Sequence, residues 1–146
     1  MNAEQRQFKH RELTQKIIGV FYEVYNELGH GFLESVYENA MTLALREARI
    51  DARQQAPITV RFRGQIVGDF RADLLVDDAV IVEIKAAKTL ESAHDAQLLN
   101  YLRATEIEVG MLMNFGPKPE FKRLAFDNRR KGRPPIPQTN ADRGIA

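Results

Sequence analysis

The apolar residues of this chain change their spacing once, and that change fixes what the chain can fold into. From Leu13 to Leu28 the positions Leu13, Ile17, Val20, Phe21, Val24 and Leu28 recur every three or four residues, which places them on one stripe of a helix. Gly29 follows where that helix would stop. Beyond Gly29-His30-Gly31, the segment Leu33 to Arg49 repeats the pattern with Val36, Ala40, Leu43, Ala44 and Ala48, predicting a second helix folded back on the first. The period then falls toward two. Ile58, Val60 and Phe62 alternate with polar residues, Gly64 marks a turn, and Ile66 to Val76 makes a second strand. Asp77-Asp78 turns the chain into Ala79 to Lys85, a third strand apolar enough on both faces to be central in its sheet. A helix from Leu90 to Thr105, a strand from Val109 to Asn114 and an edge strand from Phe121 to Phe126 complete the pattern. The order α-α-β-β-β-α-β-β, a strand meander followed by a crossover helix, predicts an α/β fold with a mixed β-sheet flanked by helices.

With 146 residues and 44% hydrophobic content, the chain can build one sizeable core, and residues 1–126 are expected to form a single domain. From Asp127 the sequence DNRRKGRPPIPQTNADRGIA has almost no large apolar side chains to offset the entropy of ordering, so 127–146 is expected to be a disordered or extended tail. That tail holds Arg129, Arg130, Lys131, Arg133 and Arg143 against Asp127 and Asp142. Its charge is therefore +3, and the rest of a chain of net charge +1 is near −2. Absence of cysteine rules out a disulfide framework and any thiolate metal site. The polar start MNAEQRQFKHREL has no secretory apolar region, and no run approaches the ~20 apolar residues of a membrane span. A soluble, cytoplasmic protein is the expectation.

The chemistry lies in Val80-Ile81-Val82-Glu83-Ile84-Lys85. Glu83 and Lys85 are two apart on a strand and so share a face. The preceding strand carries Asp73. A two-residue loop of Asp77 and Asp78 would set Asp73 opposite Val82, with its side chain away from Glu83; a three-residue loop including Ala79 would set it opposite Glu83, on the same face. Only the longer loop, or an equivalent bulge, assembles a site, and the pattern alone leaves the register open. Two carboxylates with a lysine beside them are what metal-assisted phosphodiester hydrolysis requires. Oxygen donors suit Mg²⁺ or Mn²⁺, such an ion activates water, and the lysine offsets charge growing on phosphoryl oxygens. The alternative is a solvated strand face, against which stand the apolar neighbours Leu74, Leu75, Ile81 and Ile84.

These segments together resemble the GxxExxY family of the PD-(D/E)XK nuclease superfamily. Gly31-Phe32-Leu33-Glu34-Ser35-Val36-Tyr37 matches the naming motif, Gly68 to Asp73 the first acidic motif, and Glu83-Ile84-Lys85 the second. Gln97 to Leu102 is similar to the Q-x3-Y element of RecB-like nucleases, and Gly110 to Gly116 resembles the family's late strand. The resemblance implies a restriction-endonuclease-like core and a metal-dependent nuclease, with DNA favoured as substrate. It implies that Asp73 and Glu83 ligate the metal, that the Ile84 backbone carbonyl adds an oxygen, and that Lys85 serves the transition state. Glu34 would support the metal directly or through water; as a first-turn acid it also suits the helix dipole. Gln97 and Tyr101, at i and i+4, would lean toward the metal from the crossover helix or form a buried polar pair at its seam with the sheet. Tyr37 suits core or site equally, while His30 and His94 read as loop or surface histidines.

Arg129, Arg130, Lys131 and Arg133 could meet a phosphate backbone or simply aid solubility. The same fold could instead serve as a catalytically silent nucleic-acid-binding or protein-interaction module. A body near −2 also leaves room for a homodimer or a larger defence or repair complex.

Overall fold

A computed structural model describes residues 10–132. Helices α1 (Arg11–Leu28) and α2 (Glu34–Glu47) are followed by strands β1 (Ala52–Phe62), β2 (Gln65–Val76) and β3 (Val80–Lys85), helix α3 (Ser92–Ala104), and strands β4 (Val109–Phe115) and β5 (Pro119–Ala125). The expected order of elements is the observed one. The five strands lie in the order β1-β2-β3-β4-β5. All neighbours are antiparallel except β3 and β4, which run parallel because α3 carries the chain back between them.

Strand alternation splits the core between the two faces of the sheet. Val80, Val82 and Ile84 of β3 join Met111, Met113 and Phe115 of β4 beneath Ile17, Phe21, Tyr37, Met41 and Leu45 of α1 and α2. Ile81 and Leu112 join Ala56, Ile58, Ala72 and the α3 residues Leu98, Tyr101 and Leu102 on the other face. Glu83 and Lys85 share the parity of Ile81 and therefore belong to the α3 side. Gly110 permits the close approach of α3, because a Cβ there would lie 2.7 Å from a Leu98 methyl.

β1 begins at Ala52, six residues before the expected Ile58. Its first half, Ala52-Arg53-Gln54-Gln55-Ala56-Pro57, is polar and largely exposed, since an edge strand covers few apolar side chains and tolerates proline. The hairpin joining β1 and β2 continues well past the rest of the sheet. β3 pairs with β2 only from Leu74 to Val76, whereas β1 pairs with β2 from Ala52 to Phe62, skipping Gln55 and shifting register after Val60. The outer part is thus a two-stranded ribbon.

Asp127–Lys131 depart from the unstructured tail expected of them. Asn128–Lys131 form one 3-10 turn capped by Asp127, whose side chain accepts from the Arg129 N–H. Lys131 Nζ donates to the carbonyls of Thr105 (2.8 Å) and Ile107 (2.9 Å), and the Asn128 N–H donates to Glu108 at 2.7 Å. Polar bonds to the α3–β4 connection supply the order that apolar burial could not. Arg133 and the residues after it lie outside the described residues.

Candidate active site

β2 and β3 separate at Asp73 and Glu83, and the separation builds the site. Val76 pairs with Val80, Leu75 with Ile81 and Leu74 with Val82, so the loop is the three-residue one, Asp77-Asp78-Ala79, and Asp73 falls opposite Glu83. Asp77 and Asp78 each adopt a left-handed φ of 52°, which aspartate tolerates better than most residues. The Ala79 N–H closes the turn onto the Val76 carbonyl at 2.9 Å.

Beyond Leu74 the strands no longer exchange backbone bonds, and their amides would be left without partners. Each strand's carboxylate satisfies the other's amide instead. The Asp73 N–H donates to Glu83 Oε2 at 2.9 Å, and the Ile84 N–H donates to Asp73 Oδ2 at 2.7 Å. Two acids are thereby fixed side by side at the end of a hydrophobic sheet, Glu83 being 4% exposed.

The fork is reinforced from β1. Gln55, unpaired between the Gln54–Leu74 and Ala56–Ala72 pairs of the register, has φ of 56°, an uncommon conformation for a residue other than glycine. It reverses the alternation of the strand: Ala52 packs with α1 and α2, but Ala56 packs with α3. Gln54 and Gln55, adjacent in sequence, both reach α2 as a result. Gln54 Nε2 donates to Asn39 Oδ1 and Thr42 Oγ1, and Gln55 Nε2 donates to Glu38 Oε2 at 2.9 Å.

Burial and crowding of like charge raise the acids' pKa values. Glu83 is pushed from 4.5 to about 8, first by desolvation and then by the neighbouring Asp73 carboxylate. Desolvation also raises Asp73, against the Ile84 N–H and Lys85, which favour its charged form. Glu38 is raised by burial, with Asp73 and Glu34 adding to the effect. Tyr101 is raised by burial and by Glu83 and Asp73, which places its phenol in the field of both acids.

Lys85 Nζ donates to Gln97 Oε1 at 3.2 Å, so Gln97 meets the strand at its lysine while Tyr101 lies one turn further along α3. Glu34 sits at the exposed start of α2 and acts on Asp73 through its charge. Tyr37 is core: its ring stacks on Phe115 at 4.2 Å, and its hydroxyl donates to the Gly29 carbonyl at 2.6 Å and accepts from the Phe32 N–H at 3.2 Å. It thus ties down the loop from which the helix of Glu34 and Glu38 departs. His94 serves as a helix cap, its Nδ1 accepting from the Glu91 N–H, and His30 is exposed in the α1–α2 loop.

Among the described residues no three Asp, Glu, His or Cys side chains are gathered closely enough to hold a metal ion as they stand. The fork does offer hard oxygen donors. The Asp73 and Glu83 carboxylates meet across it, and the Ile84 carbonyl belongs to the same stretch of strand as the Ile84 N–H that bonds Asp73. Such a set suits a divalent cation of the Mg²⁺ class rather than a soft metal.

Asn114 holds the exit from β3. Fully buried, it accepts from the Ala87 N–H and donates to the Ala87 carbonyl and to Glu120. The basic turn lies elsewhere. Val109, at the start of β4, pairs with Val80, whereas Lys85 pairs with Asn114; five residues of strand, roughly 16 Å, separate the two ends. Lys131 is committed to carbonyls at the far end, and the Arg130 guanidinium lies over the Phe126 ring at 4.8 Å.

A family model of the PD-(D/E)XK nuclease superfamily matches residues 11–124. The chain belongs to the PD-(D/E)XK nuclease superfamily. That superfamily is one of nucleases, which generally use divalent metals. Among solved structures, that of SSO0001 is similar in fold, with a TM-score of 0.50 and 17% identity over 64% of this chain. The match covers half of that chain. The comparison with curated proteins gives no match. No helix among the described residues is long and apolar enough to cross a membrane.

Proposed function

We propose that this PD-(D/E)XK domain, of the GxxExxY type, is a Mg²⁺- or Mn²⁺-dependent nuclease acting on DNA, with Asp73, Glu83 and Lys85 at its centre. The observation that carries the reading is the reciprocal bonding of Asp73 and Glu83 across the fork, with Lys85 two residues on. A purely structural pair of acids gains nothing from being buried together, because each raises the cost of ionising the other. A divalent ion reverses that cost, and Asp73, Glu83 and the Ile84 carbonyl are the groups that would hold it, with Glu34 and Glu38 adding negative charge from α2. When bound, the ion would supply Lewis-acid polarisation of a phosphoryl oxygen and acidify a water.

The chain's own residues do the rest. A bound cation would favour the ionised form of both carboxylates, and Glu83 would give up a proton that it otherwise holds until about pH 8. Lys85 Nζ, positioned by Gln97 Oε1, donates to the oxygens on which negative charge grows during attack. The Tyr101 phenol closes the α3 side of the site. Arg129 and Arg130 would contribute at most a distant contact with the phosphate backbone, and Arg133 is proposed only on its charge. The test is incubation of the purified chain with single-stranded and duplex DNA and RNA in Mg²⁺, Mn²⁺ or EDTA. Metal-dependent cleavage, strongest on DNA, is expected. Binding without cleavage under every metal condition would favour the silent module.

A further inference from the structure

The ribbon formed by the outer halves of β1 and β2 leaves the sheet at the fork and carries an aromatic residue that the core does not use. Phe70 pairs with Ile58 in the register, and Ile58 is buried against α3. Yet Phe70 is 47% exposed. Its ring lies over Gly68, where an added Cβ would fall 2.9 Å from Phe70 Cε2, so the missing side chain of Gly68 is what lets the ring lie down along the ribbon. The ring also approaches Tyr101, centroid to centroid 6.0 Å and tilted by 41°. Tyr101 in turn senses both Glu83 and Asp73. An open aromatic face therefore adjoins the α3 side of the site, three residues before Asp73 on β2. The ribbon as a whole carries exposed Arg61, Arg63 and Arg71 against a single acid, Asp69, whereas the domain body is acidic. Arg71, next to Phe70 in the strand, faces the other way and its Nη1 donates to the Gln55 carbonyl at 3.0 Å, and the Arg63 guanidinium lies over the Phe62 ring at 4.7 Å.

We propose that Phe70 is a stacking platform for an unpaired base of the nucleic-acid substrate. The net positive charge of the ribbon attracts the phosphates of the same strand, and the enzyme engages single-stranded or frayed segments in preference to blunt duplex. The proposal rests on the nuclease reading of the Asp73–Glu83 site and specifies the form of its substrate. An aromatic face accepts any base, and a base inside a duplex has no free face to offer; an aromatic ring on a positively charged ribbon is the combination that single strands select. An apolar protein partner would match the ring but not the arginines.

The test measures binding of a single-stranded oligonucleotide containing 2-aminopurine, and of a blunt duplex of the same length, to the whole chain in Ca²⁺. Both anisotropy and 2-aminopurine quenching are read. Wild type should quench the probe. Phe70→Leu, which keeps an apolar side chain but removes the π face, should abolish quenching and weaken single-strand binding by about 5- to 150-fold, with a smaller effect on duplex. Phe70→Tyr should restore both signals, and Gly68→Ala, which pushes the ring up, should lose part of each. Equal quenching by wild type and Phe70→Leu, an equal loss on duplex and single strand, or a change of oligomeric state in Phe70→Leu would overturn the proposal. Cleavage by wild type in Mg²⁺ or Mn²⁺, measured alongside, decides the nuclease reading separately: cleavage without Phe70-dependent quenching sinks the platform alone.

Discussion

Replacing Glu83 by glutamine should make the metal-free protein more stable, and increasingly so as pH rises. In the unfolded chain Glu83 titrates near 4.5, whereas burial and Asp73 hold it protonated in the folded chain until about 8. The folded state binds more protons across that interval, so the contribution of Glu83 to stability is fully present below 4.5 and is lost as pH rises through about 8. Between about pH 5 and about pH 8 the loss has a ceiling of roughly 3 kcal/mol, or on the order of 10 °C in melting temperature for a domain of this size. The amide that replaces the carboxyl in Glu83→Gln has no proton to lose, and its oxygen can still accept from the Asp73 N–H. Asp73 and Glu38 are raised as well, and loss of the Glu83 charge eases the ionisation of Asp73, so the difference reports Glu83 together with its coupling to Asp73. Melting curves of wild type and Glu83→Gln in EDTA across this range should diverge steadily with pH. Added Mg²⁺ or Mn²⁺ should then reverse the ranking, stabilising wild type by about 2.7 kcal/mol at a hundredfold excess over the dissociation constant. Parallel curves in EDTA would refute the argument that Glu83 is buried beside a second carboxylate.

Three further substitutions test the supports of the site. Lys131→Met should cost about 1 to 3 kcal/mol, because the Thr105 and Ile107 carbonyls lose a charged donor; an unchanged urea midpoint would show that the 3-10 turn is not docked. Gly116→Ala would place a Cβ 2.2 Å from the Ala87 carbonyl oxygen, so a loss of about 1 to 3 kcal/mol is expected, with slower cleavage because Ala87 lies two residues after Lys85; wild-type rate and melting temperature would contradict this. Tyr37→Phe should lose about 1 to 2 kcal/mol by removing the hydroxyl that bridges Gly29 and Phe32, and hydrogen exchange at Phe32 should accelerate, whereas unchanged protection there would count against the tether.

The period change near residue 50 carried most of the fold, because helices covering a sheet and strands inside one impose different spacings on apolar residues. Val80-Ile81-Val82 revealed a central strand for the same reason. Edge positions leave no such imprint, so Ala52–Pro57 carry no strand pattern. The acids Asp73 and Glu83 were visible from their apolar flanks, but their register was not: a two-residue and a three-residue loop differ by one position, and Asp77-Asp78-Ala79 accommodates either. For Glu38 the one available signal is its spacing of four from Glu34, which places both on one helix face. Gln55 carries no signal at all, since glutamine is not a turn former and nothing in its neighbours marks a left-handed residue. In the basic segment after Asp127, the lack of apolar residues concealed polar anchoring by Asn128 and Lys131.

The most direct measurement is the single-turnover cleavage rate of wild type and Lys85→Ala on one oligonucleotide, in Mn²⁺ and in EDTA. Lys85 is only half-buried and its substitution should leave the fold intact, so the comparison reads chemistry. Wild type should cut only with metal, and Lys85→Ala should be slower by about 10² to 10³. Cleavage by purified Lys85→Ala at the wild-type rate, or cleavage by wild type that persists in EDTA, would contradict a metal-dependent centre at Asp73, Glu83 and Lys85.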